Sequence, residues 1–203
     1  MAKNIVILLH GVGSSGDDLQ GLAQFWLQEI PGVIAVAPNG PDDFAMGAGY
    51  QWFSINGVTE QTRPARIQAA RGAFDATLQA IFDRYQVTPA QDNIILAGFS
   101  QGAIMALDML VTNRLPLAGV VAFSGRLASP LPYQPAAHAA LLLVHGQQDT
   151  VIPWSESDKA AQQLSALGVT VETLYEPGVP HTISASGVRQ ATAFITQRVN
   201  ART

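Results

Sequence analysis

Short runs of branched apolar residues alternate with helix-forming stretches along the whole chain, and this alternation limits the fold more than any other feature. Each run is continuous rather than alternately polar, which is typical of strands that helices cover on both faces of a parallel sheet. The predicted strands are Ile5–Leu9, Val33–Ala37, Ile94–Ala97, Ala118–Phe123, Leu141–Val144 and Val169–Tyr175.

The stretches between these strands repeat apolar residues at helical spacing. In the first of them, Leu19, Leu22 and Trp26 fall on one side of a helix. Strands that alternate with helices form βαβ units with right-handed crossovers. We therefore predict an α/β fold with three αβα layers and a mostly parallel central sheet. The predicted helices are Asp17–Ile30, Ala65–Tyr85, Gln101–Val111, Ser155–Leu167 and Ser184–Val199.

The predicted elements leave no clear boundary between domains. The segment Ser129–Ala140 is rich in Pro and Ala, but strands continue on either side of it, so we interpret it as a loop. A chain of 203 residues buries roughly 70% of its unfolded surface and builds a core without metal or disulfide. We expect one domain over residues 1–203.

Composition excludes several classes of function. The chain has no cysteine, which rules out disulfides, thiolate metal sites and a cysteine nucleophile. The net charge is −4 without any basic run, so no nucleic-acid partner is expected. The first apolar run, Ile5–Leu9, is too short for a signal peptide or a stable membrane insertion. We expect a cytoplasmic protein, and its oligomeric state, including a homodimer, stays open.

Gly98-Phe99-Ser100-Gln101-Gly102 matches the nucleophile-elbow pattern G-x-S-x-G. It follows a predicted strand directly and precedes a predicted helix, which is the context that this motif requires. Glycines on both sides allow the sharp turn that exposes a serine hydroxyl, and the helix directs its first amides towards negative charge. The pattern also occurs by chance in ordinary turns, so its partners decide the interpretation.

A serine hydroxyl needs a base, and the base needs an orienting acid, in the chain order serine, acid, histidine for this elbow. His138, His145 and His181 follow Ser100, but of these only His181 also follows Asp149, an acid at a predicted strand end. A turn aspartate and a surface histidine are each common alone. Because all three residues lie at carboxyl ends of predicted strands, where open α/β sheets hold their sites, we predict a catalytic triad.

The oxyanion hole of such a site needs two backbone N–H groups. One is expected from Gln101, the residue after the nucleophile, and the other from the loop His10–Gly16, where Val12 is the expected donor. We interpret His10 as a structural residue that braces this loop through its ring nitrogens.

The same loop also matches the dinucleotide-binding pattern G-x-G-x-x-G over Gly11–Gly16. A carboxylate at the end of the second strand would be needed to bind the ribose, but that strand ends in Ala35–Asn39 without one. A nucleotide-binding oxidoreductase therefore stays a minor alternative.

Taken together, these motifs resemble the bacterial carboxylesterase and acyl-protein thioesterase family, also called the phospholipase/carboxylesterase family. The resemblance implies an α/β-hydrolase fold without a large cap domain, and no cofactor or metal. It implies a serine carboxylesterase for short- to medium-chain esters, with acyl thioesterase or lysophospholipase activity as alternatives. The triad and both oxyanion donors carry over to the residues named above. The matching stretches are Leu9–Gly13, Gln51–Phe53, Gly98–Ala103, Gly146–Pro153 and Gly178–His181.

The segment from Pro38 to Val58 shows no clear periodicity, and part of it looks particular to this chain. Long loops of this kind are usually functional or mobile. We expect Phe53 and Trp154 to bind the acyl part of a small ester or thioester substrate. For Trp52 we expect either the same role or a place in the core.

Overall fold

The structure is a computed structural model that describes residues 1–200, so the last three residues of the predicted domain lie outside this range. Over these residues it contains eight strands and five α-helices. Residues Gly16–Leu19 form a 3-10 helix ahead of the first α-helix. The strands are β1 (Asn4–Leu9), β2 (Val33–Val36), β3 (Asp42–Asp43), β4 (Tyr50–Gln51), β5 (Asn93–Phe99), β6 (Gly119–Phe123), β7 (Ala140–Gly146) and β8 (Thr170–Glu176). The helices are α1 (Gln20–Glu29), α2 (Arg63–Tyr85), α3 (Gln101–Thr112), α4 (Ser155–Ala166) and α5 (Ala185–Asn200).

Six strands form one sheet in the order β2-β1-β5-β6-β7-β8, and every neighbouring pair is parallel. Side chains of a strand point alternately to its two faces, so each strand contributes side chains to a hydrophobic core on either face of the sheet. In β1, Ile5 and Ile7 belong to the core that also contains residues of α2, α3 and α4. Val6 and Leu8 belong to the core on the other face, with residues of α1 and α5. The predicted three-layer αβα architecture with its parallel sheet is confirmed.

Helix α3 lies deepest in the molecule, and its residues from Gln101 to Val111 are all buried. It packs against β5 and β6 on one side and against α2 on another. A helix that is apolar all round is expected to be covered on all sides. None of the helices described is both long and apolar enough to cross a membrane.

The structure differs from the predicted elements mainly between residues 38 and 58. That segment contains β3 and β4, which pair with each other, and Tyr50 also pairs with Ser14 of the loop after β1. Two-residue strands are too short to show any periodicity, which is why the sequence did not indicate them. Helix α2 begins at Arg63 rather than Ala65, because Pro64 suits the first turn of a helix.

A buried carboxylate joins α3 to the elements that pack on it. Asp108 is fully buried and accepts two hydrogen bonds of 2.9 Å from Arg71 of α2. It also accepts bonds from Arg114 at 3.1 Å and from the Ser129 hydroxyl at 2.6 Å. Burial by itself would raise the pKa of Asp108, but these hydrogen bonds and the two arginine charges outweigh it and lower the pKa. The network therefore holds an ionised carboxylate behind the helix.

We predict that Asp108→Ala lowers the free energy of unfolding by about 3–5 kcal/mol, because two guanidinium groups lose their buried partner. Urea unfolding at pH 7 measures this. Asp83→Ala, which removes an exposed carboxylate from α2, is the matched control and should change stability by less than about 0.5 kcal/mol. Equal losses in the two variants would contradict the prediction.

The same carboxylate gives the wild type a defined acid dependence. Its folded-state pKa lies below the ordinary value of 3.8, so its contribution is present above that pH and is lost as the pH falls through the lower folded value. The free energy of unfolding of the wild type should therefore fall more steeply below about pH 4 than that of Asp108→Ala.

Candidate active site

Ser100 lies on the sharp turn between β5 and α3. Its φ of 56° and ψ of −115° are a conformation that residues with a side chain rarely adopt. Its N–H donates to the carbonyl of Phe123 at 3.0 Å, and its carbonyl accepts from Ile104 at 3.1 Å. Strain of this kind persists only where the surroundings hold it, and it is common at functional sites.

Two glycines make this turn possible. A Cβ on Gly102 would collide with the backbone carbonyls of Leu9 and His10 at the end of β1. A Cβ on Gly98 would collide with the backbone of Gly102 itself. The helix can therefore begin directly beside the loop after β1 only because both positions lack a side chain.

The structure brings Ser100, His181 and Asp149 together from the ends of three strands. The Nε2 atom of His181 lies 3.0 Å from the Oγ of Ser100, and its Nδ1 lies 2.6 Å from Oδ2 of Asp149. The histidine ring also packs on Phe99, with ring centroids 4.8 Å apart. In the neutral ring, an Nδ1–H that donates to the carboxylate leaves Nε2 free to accept the serine proton.

Asp149 is held by its own loop as well as by His181. Its Oδ1 accepts hydrogen bonds from the N–H groups of Val151 at 2.8 Å and Ile152 at 2.9 Å. Burial by itself would raise the pKa of Asp149, but the bonds from His181, Ile152 and Val151 outweigh it and lower the pKa. The carboxylate is therefore ionised at neutral pH and aimed at the histidine ring.

A second histidine, His145, contacts the same carboxylate and was not among the predicted site residues. Its Nε2 lies 3.3 Å from Oδ2 of Asp149 and donates to the carbonyl of Ile152 at 2.8 Å. Its Nδ1 accepts from the hydroxyl of Ser157 at 2.6 Å. Burial lowers the pKa of His145, so the ring is neutral at neutral pH. The signal in the sequence that could have identified His145 was its position at the end of β7, four residues before Asp149.

The predicted oxyanion donors stand on either side of Ser100. Gln101 is the first residue of α3, and Val12 lies in the loop after β1 and lines the same cavity as Ser100. Within residues 1–200, neither backbone N–H donates a hydrogen bond to a protein group. Both are therefore free to bind an oxygen of a ligand.

The side chain of Gln101 has a separate task. It is buried, accepts a bond from the N–H of Trp52 at 2.7 Å and donates to the carbonyl of Phe53 at 2.8 Å. The indole N–H of Trp52 in turn donates to the carbonyl of His10 at 2.8 Å. These bonds tie the segment after β4 to the serine turn and to the end of β1.

His10 braces the loop after β1, as the sequence indicated. Its Nε2 accepts from the N–H of Gly40 at 2.8 Å, so its Nδ1 carries the proton and donates to the carbonyl of Gly11 at 2.6 Å. Burial lowers the pKa of His10 and keeps the ring neutral.

Two of the glycine N–H groups in the loop Gly11–Gly16 are already bonded within the protein and cannot bind a pyrophosphate. Gly13 donates its N–H to the carbonyl of Tyr50 at 2.8 Å, and Gly16 donates to Oδ1 of Asn39 at 2.8 Å. The segment from residue 38 to residue 58 thus holds two of the three glycine N–H groups of the pattern, which argues against the oxidoreductase alternative.

A cavity of about 240 Å³ opens beside Ser100. Of the three predicted substrate-binding residues, Phe53 lines it, whereas Trp52 and Trp154 are placed elsewhere. Trp52 is 2% exposed and packs edge-on against Phe74 of α2, and Trp154 packs against Tyr175 of β8. Trp52 therefore belongs to the core, because its ring is buried and its indole N–H donates to the backbone carbonyl of His10. The cavity is lined by Val12, Phe53, Ile55, Val58, Arg63, Ser100, Gln101, Ile104, Arg126, Val151 and Ile152.

Comparisons with known proteins identify the family and the fold of this chain. The family described as phospholipase/carboxylesterase matches residues 1–199. The esterase YpfH of Escherichia coli is 31% identical, with 87% of this chain and 76% of that protein covered. Acyl-protein thioesterase 1 of Neurospora crassa is 26% identical, with 96% and 86% covered. A crystal structure of the esterase PE8 superposes with a TM-score of 0.87 at 38% identity, with 97% and 93% of the two chains covered.

We predict that Gly102→Ala lowers the free energy of unfolding by about 1–3 kcal/mol, because the added methyl group forces α3 away from β1. The control is Gly72→Ala in α2, where a Cβ would meet nothing within 4 Å. That substitution should raise stability by about 0.5–1 kcal/mol. Thermal unfolding followed by circular dichroism distinguishes the two, and a Gly102→Ala protein as stable as the wild type would contradict the close contact.

Proposed function

The chain belongs to the phospholipase/carboxylesterase family of serine hydrolases, and on this basis we propose that it hydrolyses short- to medium-chain carboxylic esters with a triad of Ser100, His181 and Asp149. One observation carries the proposal, namely that the His181 ring joins the other two side chains through hydrogen bonds of 3.0 Å and 2.6 Å. A nucleophile, its base and an orienting acid are then within reach of each other.

In the first half of the reaction, Ser100 Oγ attacks the carbonyl carbon of the ester while Nε2 of His181 takes the hydroxyl proton. Asp149 holds the ring in the orientation that this transfer needs and stabilises the imidazolium that forms. The carbonyl oxygen becomes negative and is bound by the N–H groups of Val12 and Gln101. The tetrahedral intermediate collapses, His181 protonates the leaving alcohol, and the acyl group stays on Ser100.

In the second half, a water molecule gives its proton to His181 Nε2 and attacks the acyl carbon. The same two N–H groups bind the second oxyanion. Release of the carboxylic acid returns the proton to Ser100 Oγ, so the enzyme is unchanged at the end of the cycle.

The cavity supports a substrate of limited size. Its volume of about 240 Å³ is smaller than the roughly 300–1,000 Å³ that are usual for drug-sized ligands. Side chains of Phe53, Ile55, Val58 and Ile104 give it an apolar wall beside the serine. Such a wall suits a short acyl chain, and the end of a long chain would stay in water.

A thioester is the second candidate substrate, and the relative named acyl-protein thioesterase 1 favours it. The acyl carbon and the developing oxyanion are the same in both reactions, and only the leaving atom differs. Acyl-coenzyme A esters assayed beside oxygen esters of the same acyl group distinguish the two preferences.

We predict that Ser100→Ala abolishes both turnover of p-nitrophenyl esters and labelling by a fluorophosphonate probe. Asp149→Asn should keep the fold but lower kcat by roughly 10⁴, because an amide favours the wrong histidine tautomer. Steady-state kinetics and mass spectrometry of the labelled peptide measure these effects.

Ser165→Ala, which alters an exposed serine of α4, is the control for the first variant, and Asp158→Asn is the control for the second. Both control proteins should label and turn over like the wild type. Labelling that persists in Ser100→Ala would refute the nucleophile, and a near-normal rate in Asp149→Asn would refute the acid.

The acyl pocket predicts a chain-length profile for simple esters. Each methylene that enters the cavity contributes about 0.8 kcal/mol, so kcat/KM should rise about fourfold per carbon and then level off once the cavity is filled. Ile55→Ala should move the plateau to longer chains, whereas Leu27→Ala, at an exposed position of α1, should not. A rise that continues to long-chain lipids in the wild type would contradict a small pocket.

A further inference from the structure

Two arginines line the cavity beside Ser100, and nothing in the reaction described above uses them. Arg63 and Arg126 both line it, together with Ser100, Gln101 and otherwise apolar side chains. No carboxylate is among its lining residues. A pocket that only had to bind a neutral acyl chain would gain nothing from two cations, because charged groups lose hydration when they line an apolar space.

Neither arginine has a protein partner in the part of the chain that the structure describes. The guanidinium groups of Arg63 and Arg126 make no ion pair within 4.0 Å and no side-chain hydrogen bond over residues 1–200. By contrast, Arg71 and Arg114 are each bound to Asp108 through charged hydrogen bonds. The chain thus pairs its structural arginines fully and leaves the two beside the serine unpaired.

The position of Arg63 at the start of α2 means that its charge does not stabilise the fold. Arg63 is the first residue of α2, and a positive charge there opposes the helix dipole. Burial lowers the pKa of Arg63, and the nearby charge of Arg126 lowers it further, while Glu156 and Glu60 act in the opposite direction. Two like charges held close together, one of them at the start of a helix, lower the stability of the fold unless a ligand of opposite charge binds between them.

The two glutamates do not fill that role in the serine cavity. Glu60 and Glu156 line a neighbouring cavity of about 320 Å³, which Arg63 and Arg126 also border and which holds Lys159 as well. The arginines therefore form a shared wall, with carboxylates on its far side and Ser100 on its near side.

We propose that Arg63 and Arg126 bind an oxyanion group of the substrate, a carboxylate or a phosphate, while the ester bond lies on Ser100. The preferred substrate is then an ester that carries a negative charge a few bonds from its scissile carbonyl. Guanidinium groups bind such oxyanions through paired N–H···O bonds, and the apolar side chains between them and the serine accommodate a short hydrocarbon spacer. The inference rests on the proposed function, because it assigns specificity to the same site.

Matched esters test this assignment. For an anion on the acyl side, the monoester of adipic acid with p-nitrophenol is compared with p-nitrophenyl hexanoate. For an anion on the alcohol side, butyrate esters of 4-hydroxybenzoate and of 4-hydroxyphenyl phosphate are compared with phenyl butyrate. The quantity measured is the ratio of kcat/KM for each anionic ester to kcat/KM for its neutral counterpart. The two esters differ in intrinsic reactivity by the same factor in every protein, so a change of the ratio between variants reports only the effect of the substitution.

We expect the ratio for at least one anionic ester to fall by about 10- to 100-fold in Arg63→Gln/Arg126→Gln, as the loss of charge-assisted hydrogen bonds predicts. The ester that responds identifies the anion and its side of the ester bond. Arg126→Lys should recover part of the ratio, since it restores charge without the bidentate fork. Raising the salt concentration should lower the ratio in the wild type only.

Arg84→Gln/Arg189→Gln, which removes the same two charges from exposed positions in α2 and α5, is the matched control and should leave every ratio unchanged. Thermal unfolding gives a second readout, because Arg63→Gln should be as stable as the wild type or more stable if the charge serves a ligand. Ratios that are equal in the wild type and the double variant would overturn the proposal. Turnover of neutral esters that persists in Ser100→Ala would contradict the proposed function instead, so the two failures can be told apart.

Discussion

Helix α3 begins in direct contact with the last carbonyl groups of β1, because Gly102 has no Cβ to hold the two backbones apart. This contact determines where everything else in the site can lie. It places Ser100 at the carboxyl edge of the sheet, and it brings the loop that holds Val12 within reach of the first amide of the helix. The strained φ and ψ of Ser100 follow from the same geometry. A helix shifted outward by one methyl group would move Ser100 and the Gln101 N–H away from the N–H of Val12.

Hydrogen bonds to backbone, rather than packing alone, then attach the surrounding loops to that helix. The Gln101 side chain holds the backbone of Trp52 and Phe53, and the Trp52 indole holds the carbonyl of His10. One wall of the cavity is therefore joined to the serine turn through a buried, fully bonded amide. Buried polar groups of this kind are costly unless satisfied, and when satisfied they specify one arrangement. This explains why a loop with little regular structure can form a defined wall.

Charge is distributed unevenly around the site. Asp149 is ionised and held by two backbone amides and by His181, with the neutral His145 ring behind it. Asp108 holds two arginines on the far side of α3. Arg63 and Arg126, in contrast, border the cavity without a counterion of their own. These two cations beside Ser100 are the basis for our proposal that the substrate carries a negative charge.

The sequence by itself determined the alternating strands and helices, the three-layer arrangement, and the order of serine, acid and histidine. These follow from local periodicity and from a strand-turn-helix motif, which act over short stretches of chain. It left open whether Trp52 belongs to the core, and it did not indicate that His145 contacts Asp149 or that Arg63 and Arg126 share a cavity with Ser100. Each of those depends on contacts between residues far apart in the chain or on which way a side chain points from a loop. Only the tertiary structure decided them, because burial and distance between such residues are set by how the layers pack and not by any local pattern.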